Sequence, residues 1–404
     1  MADKKEIIER GEAAFYKTYN RFPVVFDHGE GMYLYDTEGE SYLDFGAGIA
    51  VMGLGYGDEE FGKAVKDQAD KLTHTSNLFY NQPAVEAGEL LLKASGMDKV
   101  FFTNSGTEAI EGGIKIARRY AYNKKQEKRG CPGDPEIIAM IHSFHGRSIG
   151  ALSVTGNQAY QEPFQPLIPG IRFAEYNNLD SVKALLTDNT CAVILETVQG
   201  EGGIYPADKE FLEGIRKLCD DRDMLMILDE VQCGMGRTGQ MFAWQNYGVK
   251  PDVMAVAKAL GNGVPIGAFL ACGKAAAAMV PGDHGSTYGG NPLVCAAAKA
   301  VLEIYEKRNL LANVREMGDY LWQKLEELKN RCNKIVCHRG IGLIQGLEFD
   351  SEAPVGPVVK KALLEQRLIL ISAAGNTIRF IPPLVVKKED IDDMICRLEA
   401  VIGN

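Results

Sequence analysis

The chain has 404 residues, of which 46% are hydrophobic and 24% charged, and its formal net charge at pH 7 is −10. This is the composition of a globular protein with ample material for a buried core. An acidic chain lacks the basic face that binds nucleic acid or an anionic membrane, so we expect neither partner and favour a small-molecule ligand.

The nine cysteines include no C-x-x-C pair, so the sequence predicts neither a disulfide framework nor a zinc site. The spacing of Cys332, Cys337 and His338 also fits no standard zinc pattern, and we expect no metal. The chain opens with charged residues and has no apolar run of the roughly 18 residues that a membrane-spanning helix needs. These features predict a cytoplasmic protein with reduced thiols.

The first segment, residues 1–60, predicts an amphipathic helix over 5–16 and short strands over 32–35 and 41–45. A glycine-rich stretch over 46–57 follows, which suits either a loop near a ligand or a plain connector. We expect this segment to contribute to a small domain.

The second segment, residues 61–304, alternates helical patterns with short apolar runs. Such runs between helices are typical of an α/β fold with a mostly parallel sheet that helices cover on both faces. Ligands bind such sheets at the carboxyl ends of the strands. The predicted strands are 100–103, 137–141, 192–196, 225–229, 253–257 and 266–272.

The third segment, residues 305–404, predicts a smaller α+β domain. Apolar residues recur at helical spacing from Leu311 to Leu328, which indicates a helix facing the core or, alternatively, a partner-binding face. Strands over 342–349 and 377–381 and a last helix over 388–402 complete this segment.

Lys258 stands at the end of the apolar run 253–257, where an ammonium group needs an explanation. Burial disfavours the charged form, lowers the pKa of the amine and makes it a nucleophile that can form a Schiff base with an aldehyde. The alternative is a lysine that extends to the surface.

Residues 101–108 run from a strand into a helix through Ser105, Gly106 and Thr107. Free backbone amides and the helix dipole make such a helix start a phosphate site, although these residues also serve as simple caps. After the next predicted strand, Phe144, His145 and Arg147 offer an aromatic face, an imidazole and a guanidinium that grips carboxylates.

Asp229 ends another apolar strand, where an unpaired charge is costly, and a protonated ring nitrogen of a ligand would satisfy it. The competing hypothesis, a metal-binding pair of Asp229 with Glu230, lacks nearby histidines. The glycines from Gly234 to Gly239 match G-x-G-x-x-G, but the residues Asp229 to Cys233 come between the apolar strand and these glycines, which disfavours a dinucleotide site.

These motifs occur together in an order that resembles the class III pyridoxal-phosphate aminotransferases over nearly the whole chain. The motifs are Ser-Gly-Thr-Glu, Phe-His-Gly-Arg, Glu196-Thr-Val-Gln-Gly-Glu201, Asp-Glu-Val-Gln, Gly-Met-Gly-Arg-Thr-Gly, Ala-Lys258-Ala-Leu-Gly and His284-Gly-Ser-Thr287-Tyr-Gly-Gly-Asn-Pro292. The resemblance implies the fold type I architecture, with the small domain assembled from both chain termini.

The resemblance further implies that Lys258 forms the Schiff base with pyridoxal 5'-phosphate and that Asp229 binds the ring nitrogen. It places Gln232 near the ring's 3-oxygen and Phe144 over the ring face. Thr287 would reach the phosphate from a second subunit, so a homodimer with shared sites is expected. The cofactor-binding set is then Ser105, Gly106, Thr107, Phe144, His145, Asp229, Gln232, Lys258 and Thr287.

For the substrates, the resemblance implies a terminal amine donor, N2-acetylornithine, and 2-oxoglutarate as acceptor. Related donors remain alternatives: succinyl-diaminopimelate, succinylornithine, ornithine and 4-aminobutyrate. Arg147 would hold a distal carboxylate, Arg379 the α-carboxylate of glutamate, and Glu201 would neutralise Arg379 when no α-carboxylate is present. Ser286 completes the expected substrate-binding set.

Overall fold

A computed structural model describes residues 3–403. Its strands fall into one large sheet and three small ones. They are β1 (Phe26–Glu30), β2 (Tyr33–Asp36), β3 (Ser41–Asp44), β4 (Lys99–Thr103), β5 (Glu136–Met140), β6 (Ile171–Ala174), β7 (Thr190–Glu196), β8 (Val198–Gln199), β9 (Tyr205–Pro206), β10 (Leu225–Asp229), β11 (Val253–Val256), β12 (Gly267–Ala271), β13 (Ile335–Ile341), β14 (Ile344–Phe349), β15 (Leu368–Ile369), β16 (Ile371–Ala373) and β17 (Thr377–Phe380).

The helices range from single turns to helices of 21 and 22 residues. They are α1 (Lys4–Ala14), α2 (Ala47–Ala50), α3 (Glu59–Lys71), α4 (Gln82–Ser95), α5 (Gly106–Gln126), α6 (Ile149–Ser153), α7 (Gln158–Gln161), α8 (Leu179–Leu185), α9 (Lys209–Asp221), α10 (Gly273–Ala276), α11 (Pro292–Lys307), α12 (Leu310–Arg331), α13 (Val355–Gln366) and α14 (Lys388–Ile402). Short 3-10 helices span Glu162–Phe164, Ala243–Asn246 and Lys258–Leu260. None of the helices within residues 3–403 has the length and apolar character to cross a membrane.

The large sheet has seven strands in the order β4-β12-β11-β10-β7-β5-β6. β12 runs antiparallel to both of its neighbours, and the other pairs are parallel. The predicted α/β class with a mostly parallel sheet is confirmed, and all six predicted strands lie in this sheet. The sequence reading missed β6, a four-residue edge strand that is mostly half-buried and carries Arg172, so it shows no continuous apolar run.

Alternate residues of the central strands pack into two separate clusters, one on each face of the sheet. Ile227 packs with α5 residues such as Ile114, whereas Leu228 packs with α9 residues such as Phe211. Burial on both faces explains why β10 is apolar at every position before its terminal aspartate. α5 packs closely against β12 because Gly112 has no side chain. A Cβ atom at Gly112 would lie 2.2 Å from the Phe269 ring.

Strands from the two ends of the chain pair in one small sheet, of order β1-β2-β3-β15, where Leu368 of β15 lies opposite Leu43 of β3. Another small sheet has the order β13-β14-β17-β16. The strands predicted over 32–35, 41–45, 342–349 and 377–381 correspond to β2, β3, β14 and β17. The division of the chain at residues 60 and 304 stays a prediction.

The terminal helices differ in how well the sequence predicts them. α14 has the predicted bounds, and the apolar stripe of α12 faces the core through Val314, Leu321, Leu325 and Leu328. The predicted helix over 5–16 was too long, since α1 ends at Ala14 and has no buried residue within the described chain. The β13 strand was not predicted, because the polar run from Cys337 to Arg339 interrupts its apolar pattern.

Candidate active site

A cavity of about 480 Å³ lies at the carboxyl ends of the parallel strands, next to the start of the antiparallel strand β12. This is the edge of an α/β sheet at which ligands bind. Most of the predicted site residues line the cavity: Ser105, Gly106, Thr107, Phe144, His145, Arg147, Asp229, Gln232 and Lys258.

Lys258 lies two residues after β11, at the start of the short 3-10 helix Lys258–Leu260, and lines the cavity. Burial and the nearby positive charge of Arg379 lower the pKa of its amine to about 8, although Glu201 and Asp229 counteract part of this effect. Its φ angle of 48° is left-handed, a conformation that costs a non-glycine residue about 1–2 kcal/mol. The strained backbone and the weakened ammonium both indicate a functional lysine.

Asp229, the last residue of β10, is held from two sides. One carboxylate oxygen accepts a hydrogen bond from His145 Nδ1 at 2.8 Å, and the other accepts one from the backbone N–H of Val231 at 2.9 Å. His145 and Asp229 are both buried. The carboxylate therefore has a defined orientation at the cavity wall.

Glu196 lies beside Asp229, because the two residues are register partners in the parallel strands β7 and β10. Burial and the negative charge of Asp229 raise the pKa of the Glu196 carboxyl well above its usual value. Its oxygens accept the backbone N–H groups of Phe144 at 3.1 Å and Gly200 at 3.2 Å. The sequence prediction omitted Glu196 from the site, although a carboxylate at the end of an apolar strand was the same signal that identified Asp229.

The start of α5 forms another wall of the cavity. Ser105 caps this helix through a hydrogen bond from the N–H of Glu108, and the first-turn amides of Gly106 and Thr107 have no partners within the helix. A Cβ atom at Gly106 would lie 2.8 Å from Val231, so only glycine fits there. The long helix α5 thus presents free amides and its positive end to the cavity, as an anion requires.

Arg379 is almost fully buried in β17, beside the cavity residue Gln232. Its Nη1 donates to Glu201 Oε1 at 2.6 Å and to Gln232 Oε1 at 2.8 Å. Burial alone would raise the pKa of the Glu201 carboxyl, but the charge of Arg379 and its hydrogen bond outweigh that effect, and the pKa is lowered. The predicted pair of Glu201 with Arg379 is therefore present.

Arg147 lies at the exposed side of the cavity and is held by aromatic rings rather than by an acid. Its guanidinium carbon lies 3.6 Å from the centre of the Tyr160 ring and 5.5 Å from that of Phe144. No carboxylate of residues 3–403 lies within ion-pair distance of it. Stacking leaves the edges of the guanidinium available to a bound anion.

Four predicted site residues do not line the cavity of their own chain: Glu201 and Arg379, which contact the cavity residue Gln232, and Ser286 and Thr287. Ser286 Oγ accepts the N–H of Gly289 at 2.9 Å, and Thr287 is exposed. Their predicted roles therefore depend on a second subunit and stay predictions.

A family model described as class-III aminotransferase matches residues 14–402. The chain belongs to this family. It is therefore a pyridoxal-phosphate-dependent aminotransferase, and its similarity to solved enzymes of this kind confirms the fold type I architecture.

The relatives with similar sequences include acetylornithine aminotransferases from two distant organisms. That of Clostridium acetobutylicum is 50% identical over 376 residues, which cover 93% of this chain and 95% of the relative. That of Methanocaldococcus jannaschii is 45% identical and covers 95% of this chain and 94% of the relative. Among solved structures, the ornithine aminotransferase of Toxoplasma gondii ME49 has a TM-score of 0.94 at 31% identity, covering 100% of this chain and 95% of that one.

The cavity fits pyridoxal phosphate on three observations. The start of α5 supplies amides for a phosphate, Asp229 supplies an acceptor for a ring N–H, and Lys258 supplies an amine of lowered pKa. In addition, His145 Nε2 is buried and has no hydrogen-bond partner among residues 3–403. This nitrogen at the cavity wall is therefore available to a ligand or a water molecule.

Proposed function

We propose that the chain transfers the terminal amino group of N2-acetylornithine to 2-oxoglutarate. The products are N-acetylglutamate 5-semialdehyde and glutamate, a step of arginine biosynthesis. The observation that carries this proposal is the Arg379–Glu201 ion pair beside Lys258, together with the unpaired Arg147 across the cavity. The acetylornithine aminotransferases among the relatives support the same donor.

The two substrates present different groups to the same cavity. Glutamate carries a carboxylate on the carbon that bears the reacting amine, and Arg379 binds it once Glu201 has moved away. N2-acetylornithine reacts at a terminal CH₂–NH₂ group, which has no such carboxylate, so Arg379 keeps Glu201 as its partner. Without that partner a buried guanidinium would remain uncompensated, which is costly.

Arg147 holds the carboxylate at the far end of both substrates. Its stacking on Tyr160 fixes the guanidinium plane without using its hydrogen-bond donors. Bidentate binding of a carboxylate by such a fork adds orientation as well as affinity. One arginine is thus common to both substrates, and the other discriminates between them.

At the cofactor, each residue has a separate task. Bound pyridoxal phosphate supplies an electron sink for the carbanion that forms at the amino-bearing carbon. Asp229 would keep the ring nitrogen protonated, and His145 orients Asp229. Lys258 Nζ would hold the cofactor and move the proton at the substrate carbon, a role that its lowered pKa suits. Gln232 and Phe144 would hold the ring, and Ser105, Gly106 and Thr107 would hold the phosphate.

A homodimer with shared active sites belongs to the same proposal. Asn77 Nδ2 donates to the carbonyl oxygens of Ser286 and Gly289, which joins two loops at the surface. These loops expose the apolar residues Leu78, Phe79, Tyr80 and Tyr288 around Thr287. An exposed apolar patch of this kind marks an interface, and Thr287 would enter the partner's phosphate site from it.

We place the enzyme in the cytoplasm, since its nine cysteines are all unpaired thiols, as in a reducing compartment.

Initial rates with a donor panel test the proposal. The panel contains N2-acetylornithine, succinylornithine, succinyl-diaminopimelate, ornithine and 4-aminobutyrate, each with 2-oxoglutarate. We expect the highest kcat/KM for N2-acetylornithine. Ornithine is the second candidate, because the enzyme of Toxoplasma gondii shares the fold closely. A higher kcat/KM for ornithine would replace the proposed donor.

A further inference from the structure

Glu201 lies in the tight turn between β8 and β9, which form a two-stranded hairpin. The turn is packed closely against neighbouring parts of the chain. A Cβ atom at Gly200 would lie 2.3 Å from Gln232 Oε1, and one at Gly202 would lie 2.6 Å from the carbonyl oxygen of His142. The glycines on both sides of Glu201 are thus in close contact with the rest of the site.

Two hydrogen bonds tie this turn to the sheet that carries Arg379. The carbonyl oxygen of Glu201 accepts the N–H of Ala374 at 3.0 Å. The carbonyl oxygen of Gly203 accepts Arg339 Nε at 2.6 Å. The backbone is therefore anchored at Glu201 itself and two residues further along the turn.

All three guanidinium nitrogens of Arg339, in β13, donate hydrogen bonds in this region. Nη2 donates to Thr377 Oγ1 at 3.1 Å, two residues before Arg379 in β17, and Nη1 forms an ion pair with Glu348 of β14. The guanidinium also stacks on Tyr205, at 3.9 Å from its guanidinium carbon to the ring centre. A single side chain thus joins the turn that carries Glu201 to the strand that carries Arg379.

We propose that Arg339 is a positioning residue that sets Glu201 against Arg379, so that Glu201 exchanges by side-chain rotation on a fixed backbone. This inference rests on the proposed function, since it assigns Arg339 to the exchange that separates the two substrates. Arg339 touches neither substrate nor cofactor and acts only through the turn and β17.

The test compares Arg339→Gln with the parent enzyme in two backgrounds, native and Glu201→Gln. The measured quantities are the ratio of kcat/KM for N2-acetylornithine to that for glutamate, and the Kd of glutarate, an inert dicarboxylate that needs Arg379 to be available. In the native background we expect the ratio to fall about fivefold and glutarate to bind about fivefold tighter, the size of coupling within one hydrogen-bond network. In the Glu201→Gln background we expect no further change in either quantity.

Two further variants test the same role if Arg339→Gln does not fold. Arg339→Lys keeps the charge but cannot reach three partners at once, and Thr377→Val removes only the contact to β17. Both should shift the ratio in the same direction by a smaller factor. Arg331→Gln, which breaks an exposed ion pair with Glu399, is the matched control and should shift neither quantity.

The outcomes separate this inference from the proposed function. An equal shift by Arg339→Gln in both backgrounds, or no shift in the native one, would overturn the role of Arg339. If Glu201→Gln alone leaves the ratio unchanged while N2-acetylornithine is still used, the Glu201 exchange fails, and the positioning role fails with it. If N2-acetylornithine is not a substrate, the donor assignment fails, and the glutarate measurements still test Arg339.

Discussion

At the proposed cofactor end of the cavity, beside Lys258 and the start of α5, Asp229 and His145 are buried and hydrogen-bonded to each other. At the proposed substrate end, Arg379 is buried in an ion pair with Glu201, and Arg147 is exposed with no acid partner among residues 3–403. The difference follows from what each end must do. A group that serves every catalytic cycle gains from a fixed orientation, whereas a group that must accept two substrates needs a partner it can exchange.

The largest effect is expected at the cofactor end. Lys258→Ala removes both the attachment point of the cofactor and the amine that moves the proton, so transamination should fall by roughly 10⁴-fold or more. Steady-state rates at matched cofactor content measure it. Lys217→Ala, which changes an exposed lysine paired with Asp221, should retain the parent rate. A Lys258→Ala enzyme with the parent rate would refute the role of this lysine.

A second effect concerns the stability of the cofactor-free protein. The pKa of Lys258 is about 8 in the folded chain against 10.5 as the ordinary value, so the unfolded state binds more protons between these two pH values. Below pH 8 the ammonium should destabilise the fold, and Lys258→Met should then be more stable by about 3 kcal/mol. This advantage should shrink as the pH rises from 8 to 10.

Urea unfolding of both cofactor-free proteins at pH 7 and at pH 9.5, at one protein concentration, measures this difference. Lys217→Met serves as the control, because its lysine is exposed and should show no such pH dependence. Greater stability of the native protein than of Lys258→Met at pH 7 would contradict the predicted cost of burying this amine.

Substitutions of Arg147 and Arg379 should differ in which substrates they affect. Arg147→Gln should lower kcat/KM about thirtyfold for both N2-acetylornithine and glutamate, because each loses one charged hydrogen-bond partner. Arg379→Gln should lower it by a similar factor for glutamate and much less for N2-acetylornithine. Arg172→Gln, at a partly exposed ion pair with Glu136, is the control. Equal losses for both substrates in both variants would remove the distinction between the arginines.

The smallest effect is expected for Glu201→Gln. Loss of its negative charge leaves Arg379 without its acid, which disfavours N2-acetylornithine and opens Arg379 to glutamate. The ratio of kcat/KM for N2-acetylornithine to that for glutamate should fall about tenfold, consistent with one charge-assisted hydrogen bond. Half-reaction rates measured separately with each substrate give this ratio. Glu213→Gln, on the outer helix α9, should leave it unchanged, and an unchanged ratio in Glu201→Gln would refute the exchange.

Sequence reasoning was most accurate where a single local cause dominates. The central strands are apolar because they are covered on both faces, so β10 was predicted with its observed bounds. Lys258 and Asp229 were identifiable because a charge at the end of such a strand is costly in any fold. The start of α5 was identifiable from its small residues. These features depend on residues adjacent in the chain.

Other features depend on contacts between distant segments, and only the tertiary structure decided them. Glu196 becomes part of the site through its register with Asp229, and Arg339 becomes relevant because β13, the β8–β9 turn and β17 meet. β6 and β13 owe their pairing to neighbouring strands rather than to their own composition. The sequence by itself thus determined the fold class and the positions of Lys258 and Asp229 as charged residues at the ends of apolar strands, since local burial governs both. Which charged groups hold each other depends on the packing of segments far apart in the chain, as in the pair of Glu201 and Arg379, which are 178 residues apart.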